Sequence, residues 1–119
     1  MMKYLLILGL LLVTQCEHDD PVACTEEFVY GLNVTVKDTI SEEFLTDNVT
    51  VTAVDGSYEE ALMTLPGNNV FFGAGERPGT YVIQIIADGY EPFISERVFV
   101  DSDICHVIPQ AVEFQLQPQ

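Results

Sequence analysis

Apolar residues recur at every second position through most of the chain. Phe28, Tyr30, Leu32, Val34 and Val36 alternate with Val29, Gly31, Asn33, Thr35 and Lys37. A period of two predicts a half-buried β-strand, because successive side chains of a strand point to opposite faces. Val49, Val51 and Ala53 repeat the pattern, with Thr50 and Thr52 between them. Tyr58 to Leu65 reads as a weaker strand, diluted by Glu59-Glu60. Val70-Phe71-Phe72 reads as a short apolar strand that stops at Gly73-Ala74-Gly75. Further on, Tyr81, Ile83, Ile85 and Ala87 point one way, and Val82, Gln84 and Ile86 the other. Both sets are largely apolar, which predicts a central strand covered on two sides. Phe93 to Val100 and Val107 to Leu116 complete the series, with Val112, Phe114 and Leu116 on one face.

Turn residues punctuate these runs at Asp55-Gly56-Ser57, Pro66-Gly67-Asn68-Asn69, Pro78-Gly79 and Asp88-Gly89. Pro78-Gly79 suits a type II turn, in which proline pre-sets its own φ and Gly79 takes a positive one. Asp88-Gly89 suits a two-residue hairpin turn. Asp38 to Asn48 is a polar connection whose Ile40, Phe44 and Leu45 are expected to fold back on the sheet. Seven short strands at this spacing, with no helical period, predict an all-β fold. The expected arrangement is a small antiparallel seven-stranded β-sandwich, immunoglobulin-like in its layers.

The amino terminus has a different character. Met1-Met2-Lys3 is a short basic start, and Tyr4 to Val13 is an apolar run. Its length is that of a signal-peptide core and too short to span a bilayer. It ends at Val13-Thr14-Gln15-Cys16, which resembles the lipobox of bacterial lipoproteins. That resemblance implies cleavage before Cys16, diacylation of Cys16 and a lipid-anchored place in the cell envelope, at the outer membrane. Gln15 departs from the pattern, in which Gly, Ala or Ser precedes the cysteine. Ordinary secretion, with Cys16 left free or removed, is the alternative. Residues 1–15 would then be the signal peptide, 16–23 a flexible acidic tether and 24–119 the sandwich. Glu17, Asp19 and Asp20 in the tether either serve as a solvated spacer or resemble the surface-export signals of some lipoproteins.

Charge narrows the partners. The chain carries 19 acidic and 4 basic residues, a formal net charge of −15. Removing the signal peptide takes Lys3 with it and leaves −16. So acidic a surface argues against a nucleic-acid backbone or an anionic headgroup as the partner.

The order of elements carries a second resemblance. An alternating first strand is followed by Asn48-Val-Thr-Val-Thr-Ala-Val54, then Val70-Phe-Phe72, Pro78-Gly-Thr-Tyr81 and Asp88-Gly-Tyr90. From Phe28 to Leu116 this resembles the carboxypeptidase regulatory-like domain, a transthyretin-like β-sandwich. The resemblance implies an accessory or adhesive module beside enzymes and outer-membrane receptors, with no catalytic residues to carry over and no cofactor.

Three cysteines remain to be assigned. With Cys16 lipidated, Cys24 and Cys105 stand before the first and last strands, and exported cysteines are usually paired. A disulfide between them is the expectation; a zinc site of Cys24, Cys105 and His106 lacks the paired C-x-x-C spacing. Asp101 and Asp103 are candidate calcium ligands, set against a merely solvated acidic turn. Asp101, Ser102 and His106 contain the atoms of a catalytic triad, but crowd within six residues without a nucleophile elbow. Tyr30, Tyr58, Tyr81 and Tyr90 could line a carbohydrate site or serve sheet packing. Asn33-Val-Thr35 and Asn48-Val-Thr50 are formal glycosylation sequons inside strand-like segments. Together the readings describe a non-enzymatic, membrane-anchored envelope lipoprotein, a structural or protein-binding module. Its expected partners are the membrane, through lipid, and another envelope protein. A carbohydrate- or calcium-dependent module and a small hydrolase at His106 are the alternatives.

Overall fold

The computed structural model describes residues 23–119; the signal-peptide reading and Cys16 lie outside the described residues. Seven strands follow in order: β1 Tyr30–Asp38, β2 Val49–Asp55, β3 Tyr58–Ala61, β4 Phe71–Gly75, β5 Gly79–Ala87, β6 Phe93–Val100 and β7 Gln110–Leu116. They form a β-sandwich of two sheets, one ordered β4-β1-β7 and the other β3-β2-β5-β6. The period of two predicts the inward residues well. Leu32, Val34 and Val36 of β1 meet Tyr81, Ile83 and Ile85 of β5 in a single core, all fully buried. Fully burying each such side chain stabilises the fold by about 1.5–3 kcal/mol.

Several expectations are corrected. The first and last strands are neighbours, but β1 and β7 run parallel, so the sandwich is not wholly antiparallel. β5 is central in its sheet but covered on one face only. The described residues form two layers, and none of them covers Gln84 and Ile86, which are exposed. Phe28 does not join β1; its ring lies exposed over Gly75 and edge-on to Tyr30, 5.3 Å between centroids. Ile40 is likewise exposed, whereas Leu45 packs against the core. β3 ends at Ala61, and β4 runs through Gly73-Ala74-Gly75 rather than stopping before it. The glycines there admit neighbours: a β-carbon on Gly73 would overlap Leu62, and one on Gly75 the ring of Phe28.

The turns also differ from expectation. Positive φ falls on Ala74 (53°) and Glu76 (50°), not on Gly79, which opens β5. The chain reverses at residues 74–77, where the Arg77 amide donates to the Ala74 carbonyl. Gly79 is needed for space instead, since a β-carbon would lie 2.5 Å from Asp55 Oδ2. Gly89 does take positive φ (84°), but Ile85 pairs with Phe93 across a longer connection, so Asp88-Gly89 is not a two-residue hairpin.

Candidate functional site

Polar chemistry gathers at one end of the sandwich, where β1 and β7 begin and β4 and β6 finish. Cys24 and Cys105 are disulfide-bonded there, with Cα atoms 5.3 Å apart, as the cysteine spacing predicts. Beside the bridge, Glu76 is the hub. One carboxylate oxygen accepts from the Val29 amide at 2.9 Å and contacts His106 Nδ1 at 2.6 Å; the other accepts from the Val107 amide at 3.2 Å. His106 Nε2 lies 3.1 Å from Thr25 Oγ1. Burial pushes the Glu76 carboxyl up, but the Val29 amide, His106 and the Val107 amide outweigh it and hold it below its ordinary value. The bond to Glu76 pushes His106 above its ordinary value against the opposing effect of burial. The cluster therefore clasps the segment before β1 onto the β6–β7 connection, using a charge-assisted bond.

The other predicted site residues have structural partners. Asp103 Oδ1 accepts from the Cys105 and His106 amides, at 2.8 and 2.9 Å, and these amides hold its carboxyl below the ordinary value. Asp101 Oδ1 accepts from the Ser102 amide, and the Asp101 backbone carbonyl accepts from the Ile108 amide. Among the described residues no three His, Cys, Asp or Glu side chains are grouped as metal ligands. His106 engages Glu76 and Thr25 rather than Ser102 and Asp101. Tyr58 and Tyr81 pack edge-on at 6.3 Å, and Tyr30 and Tyr90 lie apart from them. Tyr81 is fully buried and donates to the Arg77 carbonyl, Tyr58 lies under the Arg77 guanidinium at 3.6 Å, and Tyr90 donates to Asp38. Asn33 is engaged with the Tyr30 carbonyl.

The feature that the alternating pattern misplaces is the outer face of the β3-β2-β5-β6 sheet. Its register aligns outward residues in rows across the strands. One row is Ala61, Thr52, Gln84, Ile94, and the next is Glu59, Val54, Val82, Arg97. Thr50 opposes Ile86, and Thr80 opposes Phe99. Ile86, Ile94 and Phe99 are 56%, 68% and 65% exposed, so aliphatic and aromatic surface stands in water on this face. Large contiguous apolar patches are rare on monomeric soluble proteins. β6 carries a bulge between its pairings at Ile94 and Arg97, and within it Ser95 Oγ accepts the Ile83 amide at 2.8 Å. The bulge restores outward direction to Arg97 and Phe99 beyond it.

The molecule is thus a small, disulfide-closed β-sandwich whose larger sheet exposes Ile86, Ile94 and Phe99 on its outer face. No protein-family model matches the chain, and no curated protein matches it either.

Proposed function

We propose that the chain is a lipid-anchored, non-enzymatic binding module of the bacterial envelope, and that the outer face of the β3-β2-β5-β6 sheet is its contact surface. The observation that carries this reading is the exposure of Ile86, Ile94 and Phe99 on a rigid frame. The lipobox-like Val13-Thr14-Gln15-Cys16 and the likeness to carboxypeptidase regulatory-like domains support the anchor and the accessory role. Two acyl chains on Cys16 would hold the domain stably at a membrane, where one would be marginal. Of the residues that a hydrolase or calcium site would use, Asp103 is bonded to backbone amides and His106 to Glu76.

The test uses the full chain with the photo-crosslinker p-benzoylphenylalanine in place of Ile94 or, on the opposite sheet, of Thr35. It is produced in the cells that naturally make it, fed labelled palmitate, beside Cys16→Ser. The expected result is label lost in Cys16→Ser and a protein adduct from position 94 but not from 35. No label in the wild type removes the anchor, and no adduct at position 94 removes the contact surface.

A further inference from the structure

The outer face of the four-stranded sheet is complementary to itself in both size and charge. Its β5–β6 half carries the bulky side chains Ile86, Ile94, Arg97 and Phe99. Its β2–β3 half carries small ones: Thr50, Thr52 and Ala61, and beyond β2 the Gly56-Ser57 turn. Charges within the rows follow the same division, with Glu59 at the β3 edge and Arg97 at the β6 edge of one row. A two-fold axis parallel to the strands, between β2 and β5, exchanges the halves without shifting the rows. Ile94 then lies over Ala61 of a second copy, Val82 over Val54, Ile86 over Thr50, and Arg97 over Glu59, each contact occurring twice.

We infer that this face binds a second copy of the same chain in an isologous, face-to-face sheet pair. This rests on the proposed contact surface and names its partner. Aligned sheet packing of this kind keeps strand directions within about 30°. Isologous two-fold pairing is also the commonest form of association for soluble chains.

Magnitude and placement fit a weak membrane-bound dimer. Four strands about 4.8 Å apart and about 20 Å long offer roughly 400 Å² per copy, in the range of weak, transient complexes. Excluding Lys3, Glu17, Asp19 and Asp20, 16 of the 19 carboxylates and three of the four basic residues lie in the described domain, so two copies repel at long range. Salt near 0.15 M limits that repulsion to about 8 Å, while Arg97 and Glu59 act at contact. An axis along the strands also leaves both Cys24 residues at the same end, so two anchored copies reach one membrane. Confinement there raises the effective concentration enough for a weak face to pair.

The test is the position-94 photo-adduct of the full chain in its membrane. The expected adduct has the mass of two copies, with its attachment mapped to the Ala61 region of β3. Arg97→Glu and Glu59→Arg should each lower its yield at least about fivefold, and the two together should restore it. Unchanged melting temperatures in the single variants exclude misfolding as the cause. An adduct with a different protein overturns the dimer and leaves the contact-surface reading standing. Attachment elsewhere on the second copy, or failure of the double variant to restore the yield, also overturns it. Absence of any adduct at 94 removes both readings.

Discussion

The clasped end of the sandwich and the outer face of its larger sheet have opposite chemistry. The end gathers a disulfide, a histidine and two acidic side chains, Glu76 and Asp103, the residue types from which reactive sites are built. Their polar atoms bond backbone amides or one another, and no buried side-chain nitrogen or oxygen among the described residues lacks a partner. The face gathers valine, isoleucine, phenylalanine and threonine, the types from which cores are built, yet Ile86, Ile94 and Phe99 stand exposed. Residue type alone therefore misleads in both regions. What separates the two regions is whether a group's bonding capacity is already used within the molecule.

That contrast is most exposed to test at the bridge. Cys105→Ala opens a covalent loop with sequence separation 81, for which the chain-entropy model gives about 4.5 kcal/mol. Urea denaturation in oxidising buffer should show a loss approaching that figure, and reductant should bring the wild type down to the variant. A wild type as weak as Cys105→Ala in oxidising buffer would mean that the bridge is not structural.

A smaller effect, confined to a range of pH, should come from Glu76→Gln. His106 is raised from 6.5, so its pairing contribution is complete below 6.5 and is lost as pH rises through the raised value. Glu76 is lowered from 4.5, so its contribution is complete above 4.5 and is lost as pH falls through the lowered value. Both operate together from 4.5 to 6.5, and there the variant should fall furthest below the wild type. Urea midpoints across that range and beyond it check this. A constant difference at every pH would separate the clasp from the ionisation of these two groups.

The smallest effect belongs to the face. Ile94→Thr and Phe99→Thr should each change stability by no more than about 0.5 kcal/mol, since neither side chain is buried. Ile85→Ala, one residue inward on the paired strand, should cost about 2–5 kcal/mol. Thermal melts of the three variants decide it. A large loss at Ile94 or Phe99 would return the face to the structural side of the comparison.

The strands were legible because each has one buried side, and burial of one side imposes a period of two. The disulfide was legible because exported cysteines pair and Cys24 and Cys105 flank the strands that became neighbours. The clasp was not, because Glu76 and His106 are 30 residues apart and come together only once β4 and β7 flank β1. Nor was the free face of β5 legible. Val82 and Ile86 read the same in sequence whether a third layer covers them or water does. Gly79 shows a third kind of loss: glycine signals either a positive φ or a close neighbour, and only the position of Asp55 tells which.

The bond between Cys24 and Cys105 also decides how the domain bears a mechanical load. Any pull on the residues before Cys24 reaches this covalent link before it reaches Tyr30 and the ladder of β1. Part of the tension passes directly into the β6–β7 connection, and from there into both sheets, because β6 belongs to one and β7 to the other. A tug from the residues before Cys24 is thus shared by the whole sandwich, instead of peeling its first strand away one hydrogen bond at a time.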